Sequence, residues 1–290
     1  SIEQWYLTGS AESAEFLAYR PGTLIEFGLK SFGLYTDVPN GGFFVGSDNI
    51  AYLVSGGSLQ PVSVRGVETA ISGGTADRCF YYEDEGHKFC VVRFTDRPAW
   101  VYDMSMNEWH ERAEGVDFDA WSAVAAVSAF GSFYVGTSMG EIRKLERSSY
   151  DATQPLFRRA TSANQRNGGE YFTIDSVELL GTIGQVSVTS EYIALLESLE
   201  GAGLEVSDDA ALSFIHYAEP YRGADIAVRM SKDRGETYGT ERVRNMGDLG
   251  EYDQRVTLRS LGVFRNAVME ITVSDPVDIT FDAQADVEFS

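Results

Sequence analysis

Four runs decide how this chain is read: Cys79-Phe-Tyr-Tyr, Lys88-Phe-Cys-Val-Val-Arg-Phe94, Trp100-Val-Tyr-Asp103 and Glu108-Trp-His-Glu-Arg112. Apolar and β-branched or aromatic residues recur within each over a few positions, with no helical period. Short polar breaks part them: Glu83-Asp-Glu-Gly86, Thr95-Asp-Arg-Pro98 and Met104 to Asn107. Runs this short, joined by turns this tight, predict four antiparallel strands in a meander the size of one propeller blade.

The unit repeats on both sides. Gly42-Phe-Phe-Val-Gly46 with Ile50-Ala-Tyr-Leu-Val54 resembles Ser132-Phe-Tyr-Val-Gly136 with Glu141-Ile-Arg-Lys-Leu145. Anchored on Phe43, Phe89 and Phe133, the copies are spaced 46 and 44 residues apart. A period of roughly 40–50 residues with about four strands each is the pattern of propeller blades. The competing reading is a plain β-sandwich with fortuitous similarity; three agreeing copies favour the propeller over residues 1–150. Three blades do not close a ring, and the chain opens on a strand without an initiator Met, so the propeller is expected to be partial or N-terminally truncated, with residues upstream of Ser1.

From Asp151-Ala-Thr-Gln-Pro155, which reads as a linker, a second all-β domain is expected over 151–290. Its strands fall near 157–162, 171–180, 226–231, 241–246, 254–261, 267–273 and 278–288, the spacing of a β-sandwich. One stretch departs from this. Glu191-Tyr-Ile-Ala-Leu-Leu-Glu-Ser-Leu199 fits a short amphipathic helix and the residues after it are acidic and Gly-rich, so 191–223 reads as a loop insertion.

The 290 residues carry 44 acidic and 23 basic side chains, a net charge of −21. Proteins that wrap nucleic acid need clustered Lys and Arg, so that class is excluded. The acidity fits a solvated surface, or equally a surface that nucleic acid passes without adhering. No apolar run reaches the roughly 20 residues of a membrane span, and the opening Ser-Ile-Glu-Gln-Trp has neither part of a signal peptide. Cys79 and Cys90 fall in adjacent strands; buried free thiols are the expectation, with a disulfide left open.

Ser231-Lys-Asp233-Arg-Gly235-Glu-Thr237-Tyr238 fits the Asp-box pattern. Asp233 is expected to accept turn amides, Gly235 to supply a positive φ, and Thr237 and Tyr238 to lead onward. Trp100 and Trp109 are expected to pack the blade. A sialidase-like enzyme would need convergent arginines with a Tyr–Glu pair, whereas Arg65, Arg78, Arg93, Arg97 and Arg112 hold no corresponding blade positions. His87, His110 and His216 are far apart, and no metal-ligand, nucleotide-loop or nucleophile-elbow spacing occurs. No catalytic, cofactor-binding or metal-ligating residues are therefore expected. The alternative is a carbohydrate-active or receptor-binding β-propeller, sialidase-like or adhesin.

Short motifs in order along the chain resemble the packaged-DNA stabilisation, or tail nozzle, proteins of short-tailed bacteriophages. They are Ile2-Glu-Gln-Trp-Tyr-Leu-Thr-Gly9, Val62 to Ile71, Gly86-His-Lys-Phe, Trp100-Val-Tyr-Asp103, Trp109-His-Glu-Arg112, Met230 to Tyr238, Leu258-Arg-Ser-Leu-Gly262 and Val273-Ser-Asp-Pro-Val277. Tyr238 stands where the family has Trp, and the 191–223 insertion is longer than typical. The resemblance implies a structural virion protein, made in the host bacterial cytoplasm and located in the tail. It further implies a homo-oligomeric, hexameric ring below the portal and adaptor proteins. That ring would extend the DNA channel, retain the packaged genome until ejection, and hold a tail plug or needle and fibres or spikes. Double-stranded DNA would pass without specific binding.

Overall fold

The computed structural model describes residues 3, 5–9, 16–22, 24, 28–55, 58–145, 150–151, 154–185, 225–246, 255–274 and 278–289. The chain is nearly all β and divides into two compact units, Ser1–Arg147 and Ser148–Ser290. The 191–223 insertion with its expected helix, and His216, lie outside the described residues.

The first unit opens with a hairpin of β1 (Trp5–Leu7) and β2 (Leu17–Tyr19). A first meander follows, β3 (Tyr35–Val38), β4 (Gly41–Val45), β5 (Ala51–Ser55) and β6 (Ser58–Pro61), then the helix α1 (Arg65–Gly73). The second meander is β7 (Ala76–Asp84), β8 (His87–Phe94), β9 (Ala99–Asp103) and β10 (Glu108–Glu114), extended by β11 (Asp119–Ala120). The third is β12 (Ala123–Ala129), β13 (Ser132–Thr137) and β14 (Ile142–Leu145). Phe43, Phe89 and Phe133 each fall on the second strand of their sheet, so the sequence repeat is a repeat of topology.

Strand pleating explains the order of packing. Cys79, Cys90, Val92, Phe94 and Tyr102 point to one face of the second sheet and form a core with Phe43, Val45 and Ala51 of the first sheet and Val67 and Ile71 of α1. Their sequence neighbours Phe80, Phe89, Val91 and Val101 point to the other face, together with Tyr82 and Ala99, and pack against Ala123 and Val135 of the third sheet. Each such buried aromatic or aliphatic side chain contributes about 1.5–3 kcal/mol. The second sheet is thus apolar on both faces because it is covered on both. Three stacked sheets are fewer than the about four to eight blades that close a propeller; the fold shown is an all-β stack followed by a sandwich.

Helix α1 is one short helix in a chain that is otherwise nearly all β. Val67, Ala70 and Ile71 sit at helical spacing, but β-branched Val62, Val64, Thr69 and Ile71 make the same stretch read as strand. Tertiary contacts decide it, since nine residues hold a helix weakly by themselves. Val67 and Ile71 are buried, and Lys30 Nζ caps the Ile71 carbonyl at 2.7 Å.

Tyr82 lies fully buried between Phe80, Phe89 and Phe133, and its hydroxyl has no hydrogen-bond partner. Desolvation raises its pKa well above the ordinary tyrosine value. An unpaired buried hydroxyl costs free energy that a phenyl ring does not. Tyr82→Phe is therefore expected to raise stability by about 1 kcal/mol, read as a higher Tm; a lower Tm would show the hydroxyl to be paired.

Cys79 and Cys90 are both buried and free. Cys79 is opposite Val92 and Cys90 opposite Tyr81, so the thiols are diagonal neighbours on one face. Burial pushes both thiols up, Cys90 to about 12.

In the second unit the stretch read as a linker forms a small ladder of β15 (Tyr150–Asp151) with β16 (Gln154–Pro155). The strands β17 (Arg158–Thr161), β18 (Phe172–Gln185), β19 (Asp225–Ser231), β20 (Arg242–Asn245), β21 (Arg255–Phe264), β22 (Val268–Val273) and β23 (Asp278–Phe289) follow. They form two sheets, β17-β22-β19-β20 and β21-β18-β23. Ile226, Val228 and Val273 of the first share one core with Phe172, Ile174, Val177, Leu179, Val256, Leu258 and Phe264 of the second. A bulge between Ile174 and Ser176 shifts the buried positions of β18 from even to odd numbers, with Ser260 of β21 at φ 56° opposite it.

Candidate functional site

The Asp-box residues converge at the end of β19. Ser231 is fully buried; its Oγ accepts the Gly235 amide at 2.8 Å and donates to Asp233 Oδ1 at 2.6 Å. The same carboxylate oxygen accepts the Thr237 amide at 2.8 Å, and Asp233 Oδ2 accepts the Thr237 hydroxyl. Gly235 takes φ 96°, a conformation open to glycine at no steric cost. The chain then rejoins the sheet through the Gly239 amide on the Met230 carbonyl. The Ser231, Asp233 and Thr237 side chains are thus bonded to the turn itself.

Behind the turn, Arg229 stacks on the Tyr238 ring at 4.7 Å and pairs through Nε with the buried carboxylate of Glu270, its cross-strand neighbour on β22. The Glu270 hydrogen bond raises the Arg229 pKa. Tyr238 thus supplies an aromatic face to a cation, and the motif is tied to the sheet by it.

The Ser231 hydroxyl first, then the Thr237 hydroxyl and amide, hold the Asp233 pKa at about 2 against an ordinary 3.8. A depressed carboxylate pKa gives stability above the ordinary value that is lost as pH falls through the folded one. The wild-type Tm is therefore expected to fall more steeply than that of Asp233→Asn between about pH 4 and pH 2. Asp233→Ala is expected to lower Tm at neutral pH; parallel pH profiles and an unchanged Tm would remove Asp233 from this role.

Trp100 and Trp109 meet edge to face, with ring centroids 6.5 Å apart. Trp109 also contacts Tyr102 at 5.1 Å and Phe43 of the first sheet at 6.3 Å, and its Nε1 donates to the Val62 carbonyl at 2.8 Å. It joins the first two sheets by packing and by one hydrogen bond.

A polar group that sequence spacing does not reveal lies on the other face of the second sheet. His87, the first residue of β8 and not a turn residue, stacks on Phe89, and its Nδ1 is 2.6 Å from Asp103 Oδ2. Burial works to raise the Asp103 pKa, but His87 and the Ser105 and Met106 amides outweigh it and hold the carboxyl below its usual range. His110 meets the edge of the same Phe89 ring, and burial pushes its pKa down to about 4. Arg112 is ringed by Tyr82, Phe89 and Trp121 at 5.1–5.8 Å. The Ser105 hydroxyl accepts the Lys88 amide. Among the described residues no group of three His, Cys, Asp or Glu could hold a metal ion.

A shallow cleft of about 450 Å³ opens between the turn carrying Glu83, Asp84 and Glu85 and the strand ends at Ser132 and Lys144. Among the described residues no arginine lines it. Arg93, Arg112 and Arg143 are engaged elsewhere, with Asp77, with the aromatic rings and with Glu114.

Comparison with known proteins places these features. Residues 159–288 match the family described as Bacteriophage P22 Gp10, beta-sandwich. No curated protein matches the chain. Among solved structures a glycoside hydrolase is similar at 7% identity, over 87% of this chain and 68% of that chain, with a TM-score of 0.20. A likeness that slight carries no argument about fold or activity. No helix of the described residues is long and apolar enough to cross a membrane. Through residues 159–288, just under half its length, the chain is similar to the β-sandwich of bacteriophage P22 Gp10, and this supports a structural protein of a short-tailed phage's tail.

Proposed function

We propose that this chain is a tail nozzle protein, copies of which form a ring below the portal and adaptor, retain the packaged genome and anchor the plug and fibres. The observation that carries the reading is the sandwich match over residues 159–288, in which the Asp-box turn is embedded. The stacked sheets of the first unit would supply the body of each copy, packed through two apolar cores. A net charge of −21 suits a channel wall that repels DNA phosphates, so that the genome slides without adhering.

The test is to add the purified chain to portal-bearing phage heads that lack their tails and to image the portal vertex by negative stain. A ring of density at the vertex is the expected result. Absence of docking, together with binding or turnover of host-surface glycan, would move the function to receptor recognition.

A further inference from the structure

The stack of sheets in the first unit ends on an open face. On the second sheet both faces are buried, but among the described residues only one face of the third is. Its outward rows, read from the strand register, are Ala125–Gly136–Ile142 and Val127–Tyr134–Lys144. Ile142 is 80% exposed and Val127 59%. At the two ends of the sheet Phe130 and Met139 are also exposed, at 97% and 78%. Isolated surface apolar residues need no explanation, but two on the outward face, with Phe130 and Met139 in the turns at its two ends, mark a contact surface.

Gly136 sharpens this. It lies inside β13, where glycine weakens a strand, and no left-handed φ calls for it. A Cβ built there meets nothing within 4 Å among the described residues, so no packing between them calls for it either. Glycine inside a strand often marks a place where another backbone or a ligand approaches closely. Between Val127, Tyr134 and Ile142, the small Ala125 and Gly136 leave a shallow depression.

Among the described residues the same unit presents a second exposed apolar element. The β1–β2 hairpin is a sheet of two strands, and such hairpins are at best marginally stable in water alone. Trp5, Tyr6, Leu7, Phe16 and Leu17 are all at least half exposed. A two-stranded apolar ribbon and a three-stranded apolar face are complementary in kind. They are also different patches of one chain, which is the condition for a head-to-tail contact that a ring can propagate and close.

We propose that the outer face of the third sheet receives the β1–β2 hairpin of a second copy, with the depression at Gly136 seating one of its large side chains. The contact continues in trans the face-to-face stacking that the three sheets make in cis. It supplies the copy-to-copy surface of the ring proposed above and rests on that reading only for its place in a virion.

The test uses the whole 290-residue chain in sedimentation velocity over a concentration series. The wild type is expected to self-associate. Gly136→Val is expected to fold with an unchanged or higher Tm, because the new side chain enters open space, and to weaken association about tenfold or more. Leu7→Asp, on the hairpin, is expected to do the same. A mixture of the two variants keeps one intact hairpin and one intact face, so it is expected to form a one-to-one pair and stop there. If Gly136→Val fails to fold, Ile142→Lys probes the same face at an exposed side chain. A wild type that stays monomeric at every concentration, or variants that associate as it does, would overturn the proposal. Association that depends on these residues without docking on phage heads would sink the nozzle reading alone.

Discussion

Asp77→Ala is expected to destabilise the first unit by about 3–4 kcal/mol, more than removal of the arginine that it faces. Arg93 on β8 is buried, with Nη1 2.6 Å from Asp77 Oδ2 and Nε 3.1 Å from the Trp121 carbonyl. Its side chain is only 8% exposed, against 33% for Asp77. Taking away the carboxylate strands a guanidinium where water reaches it poorly. Taking away the arginine strands a carboxylate that water can partly rehydrate, so Arg93→Met is expected to cost only about 1–2 kcal/mol. Adding Arg93→Met to Asp77→Ala should then recover part of the loss, a coupling of about 3 kcal/mol in a double-mutant cycle. Urea unfolding of the four proteins reads all of these values. Equal losses in the two single variants, with no recovery in the double, would show that Asp77 and Arg93 do not act as a pair.

Much of this fold is legible in the sequence because pleating writes it there. The second meander follows its apolar runs almost residue by residue, and six of the seven sandwich strands begin within one residue of the expected start, the seventh on it. The Asp-box turn is legible for a different reason: Ser231, Asp233, Gly235 and Thr237 bond to one another over seven residues, so no distant partner is needed. What escapes a reading of the chain depends on long-range contacts. Helix α1 forms because Val67 and Ile71 meet a core whose other members lie between Leu34 and Tyr102. The pairing of His87 with Asp103 and the ring of aromatics around Arg112 arise from register between strands, and spacing in the sequence carries no trace of them. Arg229–Glu270 joins residues 41 apart. In each case the signal that could find the site is strand register, available once the hairpins are assigned.

Trp109→Ala is expected to cost about 2–4 kcal/mol, the lower part of the range for deleting a large aromatic, because the ring is half-buried. Three contributions add at this residue. Its ring packs with Trp100 and Tyr102 on its own sheet and with Phe43 on the preceding one. Its Nε1 satisfies the Val62 carbonyl at the exit from β6, just before α1. Truncation leaves a cavity whose walls belong to two sheets and a helix, and stiff strands collapse poorly into such a space. Trp109→Phe separates the parts: it keeps most of the ring contacts and loses the indole N–H, so about 1–2 kcal/mol is expected. Hydrogen exchange gives the spatial reading. The amides of β4, β5 and α1 should lose protection in Trp109→Ala, since it is their contact with the second sheet that the indole maintains, while those of the sandwich stay unchanged. Uniform loss across both units would mean that the two unfold as one body, and a loss confined to β10 would mean that the indole packs its own strand and does not join the sheets.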